Sequence, residues 1–406
     1  MKQTLSGAAR AKRRVWIGAA FLMATSAVGP GFLTQSTTFT ATYGSSLAAV
    51  ILCVILMDIV TQLNIWSVIG VSGMRAQDIA NSLLPGLGYA LSFLVAAGGL
   101  VFNIGNVGGI SLGLNALTGL DPTLGCILGG ALAIALFLFK KAGEKMDLLT
   151  KALGGVIILA AVYVAISTRP PLGEAARRIF TPEHPQKLLL PMITLLGGSC
   201  GGYIAFSGAH RLIDAGVKGP EDLCVIRRSV LLGTSVSGLI RILIFLATLG
   251  VCTAGGASAS AAIRTASNPA AETFRLALQQ IGYRLFGLIL LCASLTSVVG
   301  AAYTSVSFLK TLHPFIERNE NRFIIGFIAL STTVMAITGG ASKLLVAAGT
   351  VNGLILPLSL SLMLIAATKK KIIGAYRHSR FLLAAGALIA LLTLAAAIRA
   401  LPALFS

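Results

Sequence analysis

Apolar residues fall in long unbroken blocks along this chain, each near the ~20 residues a helix needs to cross hydrocarbon. Short segments rich in Lys and Arg separate them. Lipid leaves backbone polar groups no partner but each other, so only helices or closed barrels can span it. Barrel strands would alternate apolar and polar residues over about ten positions. The runs here do not alternate, so they predict helices. Eleven spans are expected, near 15–43, 46–70, 87–115, 122–140, 150–168, 188–212, 228–253, 281–308, 323–339, 343–367 and 381–403.

Composition agrees: 56% of the 406 residues are apolar and 11% charged, against about a quarter charged in soluble domains. The net charge of +19 would fit nucleic acid if it formed one soluble face. It lies instead between apolar runs, as topology signals do, and nucleic acid is excluded as a partner. With the N-terminus inside, 22 basic residues fall on the inner side and 9 on the outer. This predicts an inner (plasma) membrane protein with a cytoplasmic N-terminus and an outside C-terminus. The six cysteines are scattered without a Cys-x-x-Cys, so neither a disulfide framework nor a zinc site is implied. The basic start followed by Val15 to Val28 has the look of a signal peptide, but the apolar run continues through Gly29-Pro30-Gly31 to about Tyr43.

Two spans carry helix-breaking residues. Span one holds Gly29-Pro30-Gly31-Phe32, where proline removes a backbone donor and the glycines weaken the helix. Span six holds Gly197-Gly198-Ser199-Cys200-Gly201-Gly202-Tyr203. The two lie five spans apart and run in opposite directions. Paired broken helices in inverted halves point to a midplane binding site in secondary transporters. The chain then reads as one transmembrane domain over 1–406. Repeat one covers about 15–168, repeat two about 188–367, and an extra span about 381–403.

Each break should leave a new helix N-terminus, near Phe32 and near Tyr203. The free N–H groups and dipole of such ends attract anions. Span three adds Asn103 and Asn106 on one face, and Gly105, Gly109 and Gly113 as a stripe for close helix packing. Span eight is rich in hydroxyls, from Ser294 to Ser305. Asp58 and Arg241 lie mid-span, where ionisable groups are functional candidates. They either pair with each other or serve an ion pathway. The four histidines (His184, His210, His313, His378) fall in loops or at helix ends, where solvation is expected.

On these residues the chain resembles the Nramp family of divalent-metal transporters over nearly its whole length. The shared features are the eleven spans, Gly18-Ala19-Ala20-Phe21 leading to Gly29-Pro30-Gly31-Phe32, and the span-six segment leading to Tyr203 and Ser207. The resemblance implies an all-α LeuT-type fold: two inverted five-helix repeats plus an eleventh span, with helices one and six broken around the substrate. It also marks a departure. Metal-carrying members have Asp-Pro-Gly-Asn in span one and Met-Pro-His in span six. Here Gly29-Pro30-Gly31-Phe32 and Gly201-Gly202-Tyr203 stand at the matching positions, so the ligands and the histidine thought to help proton coupling are gone.

Transition metals need several N, O or S ligands, usually one of them anionic. No Asp or Glu precedes Asp58, and none lies between Glu183 and Asp214. No metal ligand set, catalytic residue or cofactor motif emerges. The expected function is therefore secondary transport of a small solute bearing a carboxylate, such as an amino acid, a cyclic amino-acid derivative or an organic acid. The expected contacts are Gly29, Gly31, Phe32, Asn103, Asn106, Ser199, Cys200, Gly201, Gly202 and Tyr203. H+ or Na+ would couple, and the lipid bilayer is the other partner; oligomeric state leaves no sequence signature. Two alternatives remain: a Mg²⁺ or Mn²⁺ transporter with a rebuilt site, and a non-transporting receptor on the same scaffold. An enzyme is not expected, for no nucleophile–base pair or phosphate-binding loop is present.

Overall fold

The computed structural model describes residues 27–139 and 155–405. The basic N-terminal segment, the first half of span one, the loop from Lys140 and the start of span five lie outside the described residues. Every regular element among the described residues is a helix.

The first is α1 (Pro30–Tyr43), followed by α2 (Leu47–Ser72). Together Pro30–Ser72 would measure about 65 Å if straight, twice the hydrocarbon thickness. Gly44, at φ 55 and ψ −138, divides the run, so it carries spans one and two. A short α3 (Ala76–Leu83) leads to α4 (Leu87–Thr118), α5 (Pro122–Leu138) and α6 (Gly155–Thr168), and α7 (Leu172–Phe180) turns away from α6 by 104°. Span six is split into α8 (Leu189–Cys200) and α9 (Ile204–Asp214). Then come α10 (Leu223–Thr265), α11 (Pro269–Leu309), the short α12 (Pro314–Arg318), α13 (Glu320–Thr338), α14 (Ala341–Ala366), the short α15 (Lys370–Ile373) and α16 (Arg380–Phe405). Among the described residues eight helices are long and apolar enough to cross a membrane, or nine with the bent α6–α7 pair; dividing Pro30–Ser72 at Gly44 and adding α5, at 17 residues, places a helix in each of the eleven expected spans.

Local chemistry sets several ends. Asp121 accepts from the Thr123 and Leu124 N–H groups ahead of Pro122, and Asn268 accepts from Ala271 N–H ahead of Pro269. The long α10 and α11 leave helical geometry at Gly256 (φ 62) and Gln279 (φ 56).

The glycine stripe of α4 does what its spacing predicts. A Cβ on Gly113 would lie 2.7 Å from the Leu291 nitrogen, and one on Gly109 would lie 2.5 Å from Ser294 Oγ and 2.7 Å from Pro30 Cβ. Backbones therefore approach to contact, and α4 and α11 form the most extensive helix pair. The stripe also seats Pro30, and with it the start of α1. A second close approach joins α8 to α14, where a Cβ on Gly201 would lie 2.6 Å from Asn352 O. These two helix pairs bring both broken spans into the centre of the bundle.

Candidate functional site

The span-one break is sharp. Gly29 is extended (φ −79, ψ −179), and Pro30 starts α1 at its first position, two residues before the expected N-terminus near Phe32. Proline suits that position, because its missing N–H would have no helical partner there. In span six, Gly201 is extended and Gly202 is left-handed (φ 52); α9 begins after Tyr203, as expected. Only glycine takes the Gly202 conformation without strain.

Around the breaks the structure gathers residues from four helices. Gly31 faces the Phe102 ring, 3.0 Å from where its Cβ would be. Phe102 meets Tyr203 edge-on, with centroids 5.8 Å apart. Asn106 points its amide toward the Tyr203 hydroxyl, yet neither amide atom nor the hydroxyl closes a hydrogen bond. Asn103 reaches α13 instead, donating to Ser331 Oγ at 3.1 Å while its carbonyl oxygen is unpartnered. Ser199 spends its hydroxyl on the carbonyls of Leu195 and Leu196 in its own helix. Cys200 is fully buried beside it.

Asp58 and Arg241, expected as a pair or as an ion pathway, meet at the same level. Asp58 of α2 is buried against Gln62, Ser199 and Cys200, with Oδ1 unpartnered. Arg241 of α10 donates to Leu195 O at 3.3 Å and lies 4.5 Å from the centroid of the Phe32 ring. The two feel each other's charge without closing a salt bridge.

Two residues at the breaks were missed by sequence reasoning. Gln35, fully buried, donates to Leu345 O at 2.7 Å and covers the bare faces of Gly198 and Gly349. Asn352 donates to Gly98 O (3.0 Å) and Ala348 O (2.9 Å), and its Oδ1 lies over Gly202. Both side-chain oxygens are unpartnered. The available signal was a lone amide inside each apolar run.

The histidine expectation needs correction for two residues. His210 is 1% exposed: it accepts from Ala76 N–H and meets Ser307 Oγ at 3.2 Å. His378, 8% exposed, bonds Asn64 Oδ1 at 2.9 Å, and burial, aided by the Arg227 charge, lowers its pKa to about 4. Helix packing over these loop-proximal positions buries them. The hydroxyls of span eight are also mixed: Ser294 and Thr296 bond their own helix, whereas Thr304 and Ser305 are buried and unpartnered.

The two ends of the bundle differ. At one, Arg75 binds Asp214 (2.6 Å) and Ser307 Oγ (2.5 Å), and Tyr303 donates to Asp214 (2.7 Å). This network ties the α2–α3 turn to α9 and α11. At the other end a cleft of about 610 Å³ opens, lined in part by Ser111, Thr123, Arg264, Met335 and Lys343. Between them the residues at the breaks are almost fully buried.

The family model for natural resistance-associated macrophage protein-like (Nramp) chains matches residues 20–402. The chain belongs to the Nramp family. Its Nramp relatives include the uncharacterized membrane protein YcsG of Bacillus subtilis (strain 168), 50% identical over 373 residues, which span 92% of this chain and 90% of that one. The divalent metal cation transporter MntH of Brucella suis biovar 1 is 24% identical over 375 residues, 88% of this chain and 81% of that one. Among solved structures, the manganese transporter of Eremococcus coleocola, in complex with an aromatic bis-isothiourea substituted compound, superposes with a TM-score of 0.74 at 17% identity, covering 95% of this chain and 86% of that one. The fold is the all-α LeuT type of Nramp transporters, with helices one and six broken. Family and fold are those of membrane transporters. Within them, the described residues hold no group of three or more His, Cys, Asp or Glu able to bind a metal.

Proposed function

We propose that this Nramp protein is a secondary transporter that moves a small organic solute bearing a carboxylate, by alternating access around the two breaks. One observation carries the reading: the groups gathered there are neutral amides and hydroxyls, the Cys200 thiol and a single carboxyl, Asp58, whose charge Arg241 offsets, and no group of three or more acidic or other metal-ligating side chains occurs among the described residues. A bare divalent ion in that setting would lack countercharge and be costly to desolvate. A carboxylate would find the N-terminal amides of α1 and α9, the Tyr203 hydroxyl, the Asn106 amide and, beside Phe32, Arg241. The predicted contacts at Gly29, Gly31, Phe32, Asn103, Asn106, Ser199, Cys200, Gly201, Gly202 and Tyr203 belong to this reading, and Gln35 and Asn352 join them. The N-terminus is cytoplasmic and the membrane the inner (plasma) membrane, on the bias of Lys and Arg.

The second reading is a Mg²⁺ or Mn²⁺ transporter. The free side-chain oxygens of Gln35, Asn106, Asn352 and Asp58 favour it, as does the kinship with metal transporters. Melting of the purified protein with added ligand separates the two. A carboxylate panel should raise Tm by mass action on the folded state, and Mn²⁺ and Mg²⁺ should not. A shift with either metal, together with its uptake into proteoliposomes, would favour the cation. Ligand binding with no uptake of any solute would mark a receptor.

A further inference from the structure

Among the described residues, Asp58 and Arg241 are the acidic and the basic side chain that face the breaks from within the bundle. Arg241 lies against Phe32, directly after the span-one break, and against Leu195, two turns before the span-six break. Its Nε has no partner. Asp58 lies against Ser199 and Cys200, in the last turn before Gly201. Its Oδ1 has no partner, and neither does either amide atom of Gln62, one turn along α2. The titratable groups facing Asp58 are Arg241 from α10 and the Cys200 thiol from α8. Two buried opposite charges this near, each with an open hydrogen-bonding position, are arranged to exchange partners rather than to lock together.

Charge balance then restricts what the pair can do. Carboxylate 58 and guanidinium 241 together are neutral. A solute carboxylate added beside Arg241 leaves one uncompensated negative charge in a low-dielectric centre, which is expensive. One proton on Asp58 restores neutrality and releases Arg241 from its attraction to Asp58. We propose that Asp58 and Arg241 form a proton-linked anion switch, in which Arg241 takes the solute carboxylate as Asp58 Oδ1 takes one proton from the aqueous side. Solute and H⁺ then cross together one to one, and both are released when the far side opens. This rests on the carboxylate reading and deepens it by naming the coupling ion.

The test is calorimetric titration of the purified full chain with lactate and glutamate, each of net charge −1 in this range, from about pH 5 to about pH 8, in buffers of different ionisation enthalpy. Wild type should take up one proton per solute molecule bound, and its affinity should fall about tenfold per pH unit in the alkaline part of the range. Asp58→Asn should still bind, with no proton uptake and no pH dependence. In proteoliposomes it should exchange solute across the membrane but not accumulate it against a pH gradient. Arg241→Gln should lose at least about tenfold in affinity, or about 1.4 kcal/mol. Arg241→Lys, which keeps the charge, should bind more weakly yet remain proton-linked, which separates loss of charge from loss of fold. Proton uptake that persists in Asp58→Asn, or wild-type affinity in Arg241→Gln, overturns the switch. Carboxylate binding without proton uptake, or with a strict need for Na⁺, overturns the switch alone. Failure of every carboxylate to bind overturns the carboxylate reading with it.

Discussion

Removing the Arg75 guanidinium should open the end of the bundle that it closes. Arg75 joins the α2–α3 turn to Asp214 of α9 and Ser307 of α11, and Tyr303 holds the other oxygen of the same carboxylate. In the proposed alternating access, opening this end parts α9 and α11 from that turn, so these bonds would belong to one state only. The Arg75 and Asp214 side chains are 21% and 31% exposed, which puts the ion pair itself at about 0–1 kcal/mol. The charge-assisted bond to Ser307 adds about 1.5 kcal/mol. Arg75→Ala therefore shifts the closed–open equilibrium by roughly 2 kcal/mol, or about 30-fold. Asp214→Asn should give a similar shift, and Tyr303→Phe less, because a single bond is lost. The assay is labelling of Thr304→Cys, a position 1% exposed, by a membrane-impermeant maleimide in a background without the exposed Cys53 and Cys224. Both charge variants should label about 10- to 30-fold faster than the parent. Equal rates in all of them, with unchanged Tm, would refute the reasoning.

Gly202→Ala should lower Tm, since a left-handed backbone costs an L-residue about 1–2 kcal/mol and the new Cβ would strike the Asn352 side chain. Asn352→Ala should relieve the collision but not the backbone strain, and melting of the double variant measures the difference. His378 is neutral in the folded protein down to about pH 4, whereas an unfolded chain protonates it near 6.5. Its contribution is thus complete above about pH 6.5 and is lost as pH falls toward 4, up to about 3 kcal/mol; melts of His378→Gln should show a flatter acid limb. Tyr203→Phe should weaken solute binding with Tm nearly unchanged, because the ring keeps its packing on Phe102 and the hydroxyl has no protein partner to lose; wild-type affinity in a ligand titration would remove it from the site.

Span positions and breaks were legible in the sequence because each has a strong local cause. Lipid forces helices on long apolar runs, Pro30 cannot continue a helix, and the glycines at 201 and 202 cannot hold one. The α4 stripe was legible for the same reason, since glycine every fourth residue has one packing consequence. What was missed depends on neighbours that sequence distance hides. His210 stands at the end of a span by sequence, yet the α2–α3 turn and Ser307 cover it. Gln35 and Asn352 read as ordinary polar residues until α8 and α14 bring Gly198 and Gly349 beneath the first, and α4 and the span-six break bring Gly98 and Gly202 beneath the second.

The same blindness bears on charge. Arg241 lies 209 positions from Phe32 in the chain and on its ring in the fold. From sequence, the absence of acids at the breaks supported an anion held by helix N-termini alone. In the fold, a guanidinium and a carboxyl group flank that position together, and their charges cancel. On the proposed carboxylate reading, selectivity for an anion therefore cannot come from a fixed net charge at the centre. On that reading it has to come from which of the two groups is paired at a given moment, and the proposed switch makes the protonation of one carboxyl decisive for binding.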